Sequence, residues 1–84
     1  MEALSTYKTL QEIAVIAATK YNPQTSPEDY ANSVVKVYQT DKAPEKIRKN
    51  VYYRHLLETY PGTVRNEVVR IIEARNAGAK LVQQ

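Results

Sequence analysis

The stretch Pro44-Glu45-Lys46-Ile47-Arg48-Lys49-Asn50-Val51-Tyr52-Tyr53-Arg54-His55-Leu56-Leu57-Glu58-Thr59-Tyr60 is the densest apolar region of the chain. Wound at about 100° per residue, Tyr52, Tyr53, Leu56, Leu57 and Tyr60 spread over one broad face. Ile47 and Val51 point about 150° away from its centre. A helix that is apolar on two sides is normally enclosed by neighbours rather than laid on a surface. Residues 44–60 are therefore expected to form a central helix around which the other elements pack. Asn50 is its weak point: a modest helix former, it can itself cap a helix beginning at Val51. A kink at Asn50 is the alternative to one continuous helix.

Working outward, Pro61-Gly62-Thr63 is expected to end this helix, with Gly62 free to take positive φ and Thr63 capping the next helix. That last helix runs from Val64 to about Ala77, burying Val64, Val68, Ile71 and Ile72, with Gly78 as its stop. Glu67 sits one residue past the capping-box position, so that motif is absent. Upstream, Thr40–Pro44 is a short joint. Ser26-Pro27-Glu28-Asp29 opens a helix: Ser26 suits the N-cap, Pro27 the first position, and the carboxylates the positive end of the dipole. Tyr30, Val34, Val37 and Tyr38 share its apolar face. The first helix, Ser5 to about Tyr21, buries Tyr7, Leu10, Ile13, Ala14, Ala17, Ala18 and Tyr21. Val15 and Ile16 lie off that stripe, so either this helix is enclosed on more than one side or an apolar strip is left for a partner. Ala14, Ala17 and Ala18 let another helix approach closely.

The expected fold is all-α: one domain over residues 1–84, a compact bundle of about four short helices with a central third helix, and frayed ends at 1–4 and 79–84. Leu81 and Val82 are the residues of that tail able to fold back onto the core. No internal repeat and no alternating apolar run with hairpin turns competes with this reading.

Composition narrows the function classes. With 84 residues the chain is one small domain. Its 25% charged and 43% hydrophobic content is that of a globular protein rather than a disordered one. The absence of cysteine removes disulfide and thiolate chemistry. The N-terminal residues lack the pattern of a signal peptide, and the longest apolar run, Ile13 to Ala18, is too short to cross a bilayer. The expected location is the cytoplasm, without membrane attachment.

No constellation for catalysis is legible. His55 is the single histidine and stands between Arg54 and Leu56. No Gly-x-Ser-x-Gly elbow accompanies it. No carboxylates and histidine share metal-ligand spacing on one helical face, and two glycines are too few for a phosphate loop. The expectation is a non-enzymatic protein without metal, cofactor or small-molecule substrate.

Two binding constellations remain. Between Lys42 and Arg54 stand Lys42, Lys46, Arg48, Lys49 and Arg54, with Glu45 the one acid among them. This basic run can meet an acidic partner and speed association. Lys42, Lys46, Lys49 and Tyr53 are the candidate contacts of a protein-binding face, the partner including a second copy of the chain. Seven tyrosines, with no phenylalanine or tryptophan, suit the edge of a core and an interface alike. The alternative is a helix-turn-helix DNA binder with residues 63–76 as recognition helix and Thr63, Arg65, Asn66 and Arg70 as readers of the groove. Glu67 and Glu73 on the same helix count against it by repelling phosphate. A small regulatory or accessory protein that works by binding a protein partner is the preferred expectation.

Overall fold

The computed structural model describes residues 2–83, and the side chains of 6–78. Five helices follow one another: α1 (Glu2–Ala18), α2 (Pro27–Tyr38), α3 (Glu45–Arg48), α4 (Val51–Thr59) and α5 (Pro61–Gln83). No strand occurs among the described residues. The all-α expectation holds, with five helices in place of four because residues 44–60 are not one helix.

The break comes at Asn50. Its backbone is extended, and its side-chain carbonyl accepts the Tyr53 amide hydrogen at 3.1 Å, a side-chain N-cap for α4. Once the axis breaks there, Ile47 need not share a direction with Leu56 and Leu57, and all three are buried in one core. The two-sidedness that suggested an enclosed helix is thus resolved by a cap. Val51, expected to be enclosed, is 80% exposed at the first position of α4. Tyr52 and Tyr60 are 45% and 44% exposed, so the apolar face of α4 narrows to Leu56 and Leu57, with Tyr53 half-buried.

The element around which the chain packs is α5. Both α1 and α2 lie along it, and α4 closes against all three, with α3 folded onto α4. Val64, Val68 and Ile72, spaced at i, i+4, i+8, form the buried stripe of α5. Ile71 lies at the margin of the core. Opposite, α1 buries Leu10, Ile13, Ala14, Ala17 and Ala18, and the three alanines permit the close approach of α5.

The joint between α4 and α5 is a single residue. Tyr60 ends α4, its amide bonded to the Leu56 carbonyl at 2.7 Å, and its own carbonyl accepts the Val64 amide hydrogen at 3.2 Å. Pro61 opens α5 at a position where its missing N–H costs nothing. Gly62 therefore lies inside the first turn, and no glycine has positive φ. Gly78 does not stop α5 either, which continues to Gln83. Helical backbone also covers residues 2–4 and 79–83, while Met1 and Gln84 lie outside the described residues, as do the side chains of Leu81 and Val82.

Two further boundaries shift. α1 stops at Ala18 rather than Tyr21, giving way to tighter turns in which Lys20 and Tyr21 bond to the carbonyls of Ala17 and Ala18. Those carbonyls are also capped from afar: Tyr30 donates to Ala17 at 2.6 Å and Arg75 to Ala18 at 3.2 Å. In α2 the buried residues are Ala31, Val35 and Tyr38, one residue round the wheel from the expected face. Tyr30 and Val34 flank this stripe, and Val37 is exposed. Ser26 occupies the N-cap of α2 without a side-chain capping bond, Pro27 following at the first position and Glu28 and Asp29 in the first turn.

Candidate functional site

The tyrosines stitch the bundle together. Tyr53 sits half-buried on α4 and donates to the Glu12 carboxylate of α1 at 2.9 Å. That hydrogen bond, with desolvation behind it, raises the hydroxyl's pKa above 10.0. Tyr52, beside it, has its hydroxyl 3.3 Å from Thr6 Oγ1. Tyr7 donates to Glu67 at 3.2 Å, and Arg70 grips the same carboxylate through two nitrogens at 2.8 and 3.1 Å. Glu67 is only 9% exposed. The Arg70 hydrogen bonds, helped by Tyr7 and Gln11, hold its pKa below the ordinary value against the opposing effect of burial. Tyr21 donates to the Thr25 carbonyl and meets Tyr30 edge to face at 5.2 Å between ring centroids.

The candidate DNA readers separate in space. Thr63, Asn66 and Arg70 are exposed and share the outward side of α5. Arg65 lies round the helix toward α2, donating to Asn32 at 2.9 Å and to Asn66 at 3.0 Å, with Glu28 at 3.7 Å. Arg70 is held by Glu67. The joint preceding this helix has one residue, where a helix-turn-helix uses a turn of about three or four.

The basic segment divides likewise. Lys49 pairs with Glu45 at 2.7 Å across one turn, both well exposed. Arg48 donates to the Asp41 carbonyl at 3.4 Å. Lys42 borders a shallow depression with Lys36, Val37, Thr40 and Asp41. Lys46 borders a different one, a trough of about 460 Å³ along α1, lined by Lys8, Gln11, Glu12, Val15 and Ile16. None of these lining residues is buried. Tyr53 reaches this margin through Glu12, which ties the fourth candidate to the same place.

Val15 and Ile16 were legible as apolar residues off the core stripe, and the structure leaves Val15 44% exposed and Ile16 half-buried. Lys8 is the contributor that sequence reading missed. Its signal was its spacing: Lys8, Gln11, Glu12 and Val15 follow the i, i+3, i+4, i+7 rule and so form one stripe.

His55 is exposed, with Thr59 Oγ1 3.5 Å from its Nε2, longer than the approach that activates a hydroxyl. Among the described residues no three His, Cys, Asp or Glu side chains cluster to hold a metal ion. No helix among them is long and apolar enough to cross a membrane. Comparison of the chain with family models, with curated proteins and with solved structures gives no match.

Proposed function

We propose that this protein works by binding another protein, through the surface where α1 meets α3 and the start of α4. The observation that carries the reading is apolar area left in water beside unpaired cations. Val51, Tyr52 and Val15 are all substantially exposed. Lys46 and Arg54 stand in the same segment with no ion pair among the described residues, and Lys8 borders the trough from α1. Apolar side chains ringed by charge are the composition of a protein interface, in which the apolar centre supplies affinity and the charged rim speeds encounter. Within this surface Tyr53 of α4 and Glu12 of α1 hold one another in place.

The test places a photo-crosslinking amino acid at Val51 in the native host, with Gln24, in the exposed loop before α2, as the control position. Discrete protein adducts from position 51 that survive nuclease and are missing from position 24 are the expected result. Adducts that disappear on nuclease treatment, or none at position 51, refute the reading. Charge reversal at Lys46 and Lys49 is expected to slow association while leaving the melting temperature in place.

A further inference from the structure

The trough beside Val15 has a shape and a charge that select its occupant. Its floor is Val15 and Ile16, and its rim carries Lys8 on α1 and Lys46 on α3. The one acid in it, Glu12, accepts from the Tyr53 hydroxyl at 2.9 Å, a neutral donor that orients the carboxylate without offsetting its charge. Lys49 follows Lys46 by one turn, since Lys49 continues the right-handed helical backbone of α3. Its pairing with Glu45 is an exposed one, worth little and readily exchanged. Two lysines against one carboxylate leave the lining with a net excess of one positive charge beside its apolar floor.

The lining residues are all exposed or half-buried, so a small molecule here would keep much of its surface in water, unlike one in a true ligand pocket. From Lys8 to Val15 the stripe runs seven residues of α1, about 10 Å at 1.5 Å per residue. Two turns of a second helix match that length and present side chains at i, i+3 or i+4, and i+7 to the floor. No strand edge exists among the described residues to receive an extended peptide by β-addition.

We infer that the trough between α1 and α3 receives an amphipathic helix of a protein partner, apolar toward Val15 and Ile16 and acidic toward Lys8 and Lys46. A docked helix presupposes the protein-binding role proposed above.

The probe is a displayed library of two- to four-turn helical peptides selected on the intact chain. Enriched peptides are expected to be acidic on the flanks of an apolar stripe. Their saturable effects in methyl-resolved NMR are expected at Val15 and Ile16. The double variant Lys8→Glu, Lys46→Glu is expected to weaken binding by roughly tenfold, as loss and reversal of two exposed ion pairs implies. Val15→Asp is the second variant, directed at the floor, and circular dichroism checks that each variant retains its helix content and melting temperature. Selection of neutral or basic peptides, shifts confined to another face, no enrichment at all, or affinity unchanged in both folded variants overturns the inference. Should crosslinks at Val51 capture a protein while the trough fails these tests, the binding role stands and the helix-in-trough geometry falls. Should no protein be captured, both fall.

Discussion

Leu56→Ala tests the packing at its most consequential point. Leu56 is 2% exposed and belongs to the single core cluster that also holds Ile47, Leu57, Val64 and Ile72. Truncation to alanine removes about three carbons, a transfer loss of roughly 2.4 kcal/mol at ~0.8 kcal/mol per group. The void left behind adds to this to the extent that neighbours do not collapse, which places the total at about 2.5–4 kcal/mol. A domain of this length has about 4–13 kcal/mol in all, so the variant forfeits a large share of its stability. Urea unfolding followed by circular dichroism reads the change as a lower midpoint with an unchanged slope. Val51→Ala, five residues earlier on the same helix and 80% exposed, supplies the contrast and is expected to cost less than about 0.5 kcal/mol. A Leu56→Ala loss below about 1 kcal/mol, or equal losses at the two positions, refutes the assignment of the buried side of α4.

Three further outcomes rest on local geometry. Asn50→Ala removes the side-chain acceptor of the Tyr53 amide and is expected to cost about 0.5–2 kcal/mol, with Asn50→Asp retaining most of the stability in the same melt. Gly62→Ala is expected to stabilise the fold by up to about 1 kcal/mol, read as a higher unfolding midpoint, because this glycine is helical, lacks positive φ and, its own helical turn aside, has no heavy atom within 4 Å of where a Cβ would stand; a destabilised variant would restore the turn reading of Pro61-Gly62-Thr63. Glu67 governs the acid limb. Its folded-state pKa lies below the ordinary 4.5, so the charged form favours the folded state: its contribution is complete above that value and is lost as pH falls through the lower folded one. Glu67→Gln is expected to flatten the fall in unfolding midpoint over that acidic window, and an acid limb of unchanged steepness contradicts the role given to the Tyr7–Glu67–Arg70 cluster.

The candidate binding surface was partly visible in one dimension. The basic run at 42–54 and the stray apolar pair Val15 and Ile16 are sequence features, but nothing local says that Lys46 of α3 stands over the same trough as Lys8 of α1. Lys42, four residues before Lys46, falls to a separate depression for the same reason. Likewise Arg65 and Arg70 resemble a matched pair of groove readers until α2 offers Asn32 to one and Glu67 captures the other. Long-range partners decided the placing of the lysines and of Arg65, on which local spacing carries no information, whereas the Arg70–Glu67 pair, three residues apart on one helix, is local.

What the sequence by itself determined is the helical class, the Pro27 start of α2, the small-residue stripe of α1 and the Val64, Val68, Ile72 stripe of α5. Each comes from a 3.6-residue period or from proline's missing amide hydrogen, physics contained within a few neighbouring residues. Tertiary structure decided which helix lies at the centre. Residues 44–60 have the higher apolar density, yet α5 is the hub, because 23 helical residues give both α1 and α2 a length to pack along that the nine of α4 do not. It decided also that Asn50 caps rather than continues and that Gly62 and Gly78 stay helical. Those choices depend on burying Ile47 and Leu56 together and on keeping α5 unbroken, and only the assembled core sets those conditions.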